Sequence, residues 1–171
     1  TEPRLYSRYM ATYSIESILS REGTPSNTDK TSYTQKHVLV SVSVCSNVPG
    51  YTDPKCFVYG RCESVVQCFV AYLIEISVTK YELALPEFEL YLEQIEDARL
   101  KDELNKHIQR LCCIGFNFNR YDINVMKTEL VTELLRFTTI EFAIKRSANT
   151  FMCISTPELR FLDILSYLAP G

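Results

Sequence analysis

Two carboxylates, Glu16 and Asp122, lie where the sequence pattern places the ends of strands. Glu16 falls near the end of the first predicted strand. Asp122 follows a polar, asparagine-rich turn at residues 115–122, which joins an apolar run to a helical pattern. Ligands of open α/β sheets gather at such strand ends. Carboxylates that meet there would hold Mg²⁺ or Mn²⁺ through hard oxygen ligands, and a two-metal site of this kind would hydrolyse phosphodiesters.

Position 14 is where a second carboxylate on the first strand would stand. Side chains two residues apart on a strand point to the same face, so position 14 is the neighbour of Glu16. It is a serine, Ser14, whose neutral hydroxyl is a poor replacement for a metal-binding carboxylate. Ordinary roles stay open: Asn119 could cap the following helix, Asp122 could complement its dipole, and Glu16 could be an exposed strand-end residue.

Three further charged residues could take part in such a site. Asp163, on the last predicted strand, is a third carboxylate, although a structural role is more usual at its position. Arg120 and Lys127 could contact a phosphate, or they could be solvated surface residues. The net charge of −3 and the pI of about 5.5 give no global basic field. Binding of nucleic acid would therefore need a local site or a basic partner domain.

Three predicted strands come first in the chain. Apolar and polar residues alternate over residues 9–18 and 37–46, and a short apolar run covers residues 56–59. Residues 21–35 are rich in Gly, Pro, Ser, Asn, Asp and Thr, which predicts a loop. We expect the three strands to pair as an antiparallel meander.

The hydrophobic period then changes to that of a helix. Residues 64–110 are predicted as a helical insertion, in which Pro86 begins a second helix and charged residues cover the exposed face. A buried strand at residues 111–116 and a helix at residues 123–137 follow. Three more strands are predicted after that helix, at residues 140–145, 150–155 and 159–165.

This order of elements predicts an α/β fold with an RNase H-like (DnaQ-type exonuclease) mixed sheet flanked by helices. We expect a single domain over residues 1–171, interrupted by the helical insertion. In that arrangement the first strand and the strand after the first helix lie side by side. Their ends would then bring Glu16 and Asp122 together.

The seven cysteines predict free, buried thiols in a reducing, intracellular compartment. No CxxC pair is present, and His37 and His107 are isolated, so we expect no zinc site. The sequence contains no signal peptide and no apolar run of membrane length. It starts at Thr1 and stops at Gly171, and we expect both ends to be cuts within a longer protein.

The turn at residues 115–124, Gly-Phe-Asn-Phe-Asn-Arg-Tyr-Asp-Ile-Asn, resembles the second exonuclease motif of family B DNA polymerases, Asn-x-x-x-Phe/Tyr-Asp. The similarity is greatest to the protein-primed polymerases of Maverick or Polinton transposons, adintovirus-type viruses and related linear plasmids. Other segments resemble the same domain in the same order. They are residues 46–51, 54–57, 149–154, 159–164 and 167–171.

This resemblance implies a proofreading 3′–5′ exonuclease with two Mg²⁺ or Mn²⁺ ions. It carries Asp122 over as a catalytic metal ligand and Asn117 as a residue near the single-stranded 3′ end of the DNA. Tyr121 belongs to the same motif, and we expect it to contact DNA together with Arg120.

The first exonuclease motif of the family is Asp-x-Glu on the first strand. Glu16 matches its glutamate as a catalytic metal ligand, and Ser14 stands in place of its aspartate. The resemblance therefore implies a metal site that lacks one ligand, and a fragment that cleaves DNA weakly or not at all.

The third exonuclease motif and the palm motifs of the family are expected beyond Gly171. The implied partners are a single-stranded DNA 3′ end, the C-terminal polymerase domain and a terminal priming protein, in the nucleus if the host is eukaryotic. Two other hypotheses stay open. The chain could be a co-opted copy that binds single-stranded DNA or a protein without cleavage, or an unrelated structural α/β domain.

Overall fold

A computed structural model describes residues 7–20, 36–116, 123–147 and 150–168. Within these ranges the helices are α1 (Val65–Gln94), α2 (Ala98–Gln109) and α3 (Ile123–Phe137). The strands are β1 (Met10–Ser20), β2 (Lys36–Ser46), β3 (Lys55–Val58), β4 (Leu111–Gly115), β5 (Phe142–Ser147), β6 (Thr150–Ser155) and β7 (Leu159–Asp163). None of the described helices is both long and apolar enough to cross a bilayer.

The seven strands form one mixed sheet in the order β3-β2-β1-β4-β7-β6-β5. β1, β2 and β3 pair antiparallel, which confirms the predicted meander. β4 pairs parallel with β1 on one side and with β7 on the other, so the expected neighbourhood of the first strand and the strand after the helical segment is also confirmed. β5, β6 and β7 pair antiparallel. The fold is therefore α/β.

Helices α1 and α3 cover one face of the sheet, which we call the first face. On β1 this face carries Ala11, Tyr13 and Ile15, which are all buried. The ring of Tyr13 lies 5.4 Å from that of Phe69 on α1 and 6.1 Å from that of Phe161 on β7. Burial of such apolar faces is the main stabilising contribution to a domain of this size.

The prediction that Pro86 begins a second helix is wrong. Pro86 lies inside α1, which is continuous from Val65 to Gln94. A proline inside a helix removes one backbone hydrogen bond, at a cost of about 3 kcal/mol. Packing of Phe88 and Leu92 against Ile108 of α2 continues through this point and offsets that cost.

The break between α1 and α2 falls at residues 95–97. Asp97 is the N-cap of α2, and its carboxylate accepts hydrogen bonds from the backbone N–H groups of Arg99 (2.8 Å) and Leu100 (3.1 Å). An aspartate at the N-cap is a usual sign that a helix begins. The start of α2 was not predicted at Asp97 because apolar residues follow helical spacing on both sides of it.

One turn of α1 holds the C-terminus of α2 in place. The Ser77 hydroxyl lies 3.1 Å from the carbonyl oxygens of Gln109 and Glu158, and the Lys80 ammonium donates to the carbonyl of Arg110. Lys80 is only 3% exposed, and burial lowers its pKa to about 8. The bonds to Gln109 and Arg110 satisfy carbonyls that a helix C-terminus leaves without intrahelical partners.

Arg110, the C-cap of α2, ties the helical pair to the sheet. Its guanidinium pairs with Glu141, and its Nε donates to the carbonyl of Thr156 at 2.9 Å. Lys106 of α2 reaches the same Glu141 carboxylate at 3.2 Å. The helical pair is thereby fixed at the amino ends of β4 and β7, away from their carboxyl ends.

All seven cysteines are free thiols, as expected. The expected burial holds for Cys113 and Cys153, whereas Cys56 is exposed on the short strand β3. Burial raises the pKa of the Cys113 thiol well above its ordinary value, so this cysteine is a small core residue.

Candidate functional site

The carboxyl ends of the three central parallel strands meet in one row. Tyr13 of β1 pairs with Gly115 of β4, and Gly115 pairs with Asp163 of β7. β1 continues past this row to Ser20, where it pairs only with β2. The part of β1 that carries Ser14 and Glu16 therefore lies just beyond the end of β4, at the edge where open α/β sheets bind ligands.

Ser14 and Glu16 are exposed and lie on the face of the sheet opposite the helices, which we call the second face. Residues paired in register share a face, so the pairings define its members. They are Met10, Thr12, Ser14, Glu16, Ser41, Ser43, Cys45, Cys56, Val58, Cys112, Ile114, Phe142, Ile144, Cys153, Ser155, Arg160 and Leu162.

Glu16 is the carboxylate of this second face, and hydroxyls surround it. It pairs in register with Ser41, and Ser14 pairs with Ser43. Glu16 forms no ion pair with any other described residue. The pairing of β1 with β2 shifts register between Glu16 and Ser17, where residue 40 of β2 is passed over. An exposed, uncompensated carboxylate fits a metal ligand, but neighbouring serines supply no second negative charge.

The predicted site residues Asn117, Arg120, Tyr121 and Asp122 lie outside the described residues, as does Asn119. The structure describes the residues on either side of them, the exposed Phe116 and the first residue of α3. In the part of the chain that is described, no group of three His, Cys, Asp or Glu side chains could hold a metal ion. The pair Glu16 and Asp122 stays a prediction.

The pairing register fixes how far Glu16 lies from the end of β4. Glu16 lies three residues beyond the Tyr13–Gly115 pair, which places it about 11 Å from Gly115 at the usual strand rise and spacing. The seven residues from Gly115 to Asp122 span up to about 23 Å when extended. The segment that leaves β4 is thus longer, when extended, than the distance from Gly115 to Glu16.

Asp163 is on the first face, opposite to Glu16. It is 2% exposed, and its carboxylate accepts a hydrogen bond of 3.0 Å from the backbone N–H of Leu165. Asp163 thereby caps the 3₁₀ turn Ile164–Ser166, which ends β7 two residues earlier than predicted. This capping bond gives Asp163 a structural role. Lys127 is an exposed residue of α3.

The sequence patterns missed two side-chain contacts. The sequence shows His37 as isolated, but its Nδ1 lies 2.9 Å from the Ser17 hydroxyl. This contact depends on the register in which β1 and β2 pair, and the sequence does not specify that register. Arg160 is the cation among the second-face residues named above, and its guanidinium lies 5.7 Å from the Phe142 ring. The alternation of residues along the last predicted strand was the signal from which the face occupied by Arg160 could have been predicted.

No protein-family model matches this chain, and neither does any curated protein or solved structure. Its functional assignment therefore depends on the residues and their placement in the fold.

Proposed function

We propose that this chain is the 3′–5′ exonuclease domain of a protein-primed family B DNA polymerase, with an RNase H-like fold. The observation that most supports this proposal is the parallel pairing of β1 with β4. This pairing sets the strand of Ser14 and Glu16 beside the strand that leads into residues 117–122. The order β3-β2-β1-β4-β7, in which β2 alone runs antiparallel to the rest, supports the RNase H-like assignment.

In this proposal Glu16 and Asp122 hold Mg²⁺ or Mn²⁺ at the carboxyl edge of the sheet. Bound there, the metal supplies an activated water and stabilises the leaving oxygen of the 3′-terminal phosphodiester. Asn117, Arg120 and Tyr121 position the single-stranded end. The polymerase domain and a terminal priming protein are the proposed partners, in a reducing intracellular compartment.

Binding of single-stranded DNA without cleavage is the second candidate function. The hydroxyl of Ser14 favours it, because this residue stands where a metal-binding carboxylate is expected. Ser41 and Ser43 are the facing residues on β2, so no described neighbour replaces the missing charge. The two candidates share a DNA-binding surface and differ in metal affinity.

Degradation of a 3′-labelled single-stranded oligonucleotide in Mn²⁺ separates the two candidates. We expect weak degradation by the wild-type chain, and a loss of about 100-fold or more in Asp122→Asn and Glu16→Gln, because each variant removes a metal ligand. Glu93→Gln, an exposed carboxylate near the end of α1, is the matched control and should cleave like wild type.

Three outcomes of this assay are informative. Loss of degradation in both ligand variants, with normal DNA binding, supports the exonuclease. DNA binding by the wild-type chain without any degradation in Mn²⁺ supports the binding module. Degradation that persists in Asp122→Asn would contradict the proposed site.

A further inference from the structure

Arg160 has no acceptor for its guanidinium among the described residues. Its Nε is buried and makes no hydrogen bond, and no ion pair of the described residues includes Arg160. The hydroxyl of Ser155, its register partner on β6, is also buried without a hydrogen-bond partner. Buried polar groups in folded proteins almost always find a partner, so the pair indicates an unfilled anion or acceptor site.

Two acidic groups close to Arg160 in sequence or on the adjacent strand have other partners. Glu141 pairs with Arg110 and with Lys106, and the Glu158 carboxylate accepts from the Thr156 hydroxyl at 3.2 Å. The Phe142 ring stabilises the guanidinium by a cation–π contact but accepts none of its N–H groups in the ordinary way. Among the described residues, no carboxylate therefore forms an ion pair with Arg160.

The surroundings of Arg160 are electropositive. Burial, followed by the charges of Lys80, Arg110 and Arg160, lowers the pKa of His107. His107 is thus close enough to Arg160 to be affected by its charge, together with two further cations at the amino ends of β4 and β7. The positive charge of Lys80 near this position would help to attract an anion to Arg160; the Arg110 charge is already paired with Glu141.

We propose that Arg160 and Phe142 form a subsite of the second face for single-stranded DNA, in which Arg160 binds a backbone phosphate and Phe142 stacks on a base. This subsite rests on the proposed function. An aromatic ring beside a guanidinium is the usual composition of single-strand binding surfaces. Phe142 is 39% exposed, and its neighbour on the same face, Ile144, is exposed as well.

The position of the subsite fits a strand that ends at Glu16. Arg160, Cys112 and Met10 form one row across β7, β4 and β1, and Glu16 lies six residues beyond Met10. The separation between Arg160 and Glu16 is about 22 Å by strand rise and spacing, a span of a few nucleotides. A single strand with its 3′ end at the carboxylates can therefore cross the second face and reach Arg160.

The test measures affinity for a fluorescent oligothymidylate of about 12 nucleotides at several salt concentrations. We expect Arg160→Met to weaken binding about tenfold and to reduce the slope of log K against log salt by about 0.7, the value for one phosphate of a single strand. Phe142→Ala should weaken binding at least about fivefold. Arg160→Lys keeps the charge and should recover part of the affinity.

Arg99→Met, which removes an exposed arginine from α2, controls for net charge, and circular dichroism melts confirm that each variant is folded. Affinity and salt slope in Arg160→Met equal to those in Arg99→Met would overturn the subsite. If cleavage still depends on Asp122 in that case, the proposed function stands without it.

Two other outcomes reject the subsite for different reasons. A wild-type chain that binds no single-stranded DNA rejects both the subsite and the proposed function. Arg160-dependent binding of a polyglutamate peptide, without DNA binding, assigns the site to an acidic protein segment instead.

Discussion

Ser14→Asp should raise the affinity for Mn²⁺ about tenfold or more, and it should increase the degradation of single-stranded DNA. The physical reason is the alternation of β1, which puts positions 14 and 16 on the same exposed face. A carboxylate at position 14 would add a second negative oxygen ligand beside Glu16. The gain should be largest in a polypeptide that also supplies the third exonuclease motif. Isothermal titration with Mn²⁺ measures it.

Thr12→Asp is the matched control for this gain. It adds the same charge to the same face of β1, but about 13 Å from Glu16 along the strand. We expect it to leave Mn²⁺ affinity unchanged. Equal gains in both variants would mean that general negative charge attracts the ion, and no gain in Ser14→Asp would count against the assigned site.

The stability of the protein should rise between pH 8 and pH 10.5 because of Lys80. Burial lowers the pKa of this lysine to about 8 from its ordinary value of 10.5. Between these values the unfolded chain binds more protons than the native protein, so the free energy of unfolding increases with pH. Below pH 8 Lys80 is protonated in both the native and the unfolded state. The native protein then bears the full free-energy cost of burying the ammonium charge. The expected gain across the window is about 3 kcal/mol.

Urea unfolding of wild type and Lys80→Met across this pH range isolates the effect. Other groups titrate in both proteins, so the wild type should gain stability relative to Lys80→Met as the pH rises. Lys101→Met, an exposed lysine of α2, should show no such relative change. A constant difference between wild type and Lys80→Met would show that Lys80 is not buried as a cation.

Local periodicity explains why most of the fold could be predicted. The alternation of β1 and β2 follows directly from one buried face, and α3 shows an apolar stripe at helical spacing. Pro86 misled the prediction because its cost is local, whereas the packing of Phe88 on α2 that offsets it is tertiary. Propensity is a weak guide where tertiary contacts decide.

The candidate site was predictable in part, for a similar reason. Glu16 and Ser14 share a face by simple alternation, and the structure confirms their exposure. The same alternation could not say which face the helices cover, so it could not separate the buried cap Asp163 from an exposed ligand. Arg160 forms no ion pair with another described residue, and its surroundings depend on the register of β6, β7 and β5, which a sequence does not specify.

The location of bound Mn²⁺ tests the central claim most directly. Anomalous diffraction from crystals of the Ser14→Asp variant grown with Mn²⁺ would place the ion and the side chains of residues 117–122. We predict Mn²⁺ between the carboxylates of Glu16 and Asp122, with any second ion about 3.5–4 Å from the first. Carboxylates of Glu16 and Asp122 more than about 10 Å apart, too far to share such a pair of ions, would contradict the metal site and the exonuclease assignment.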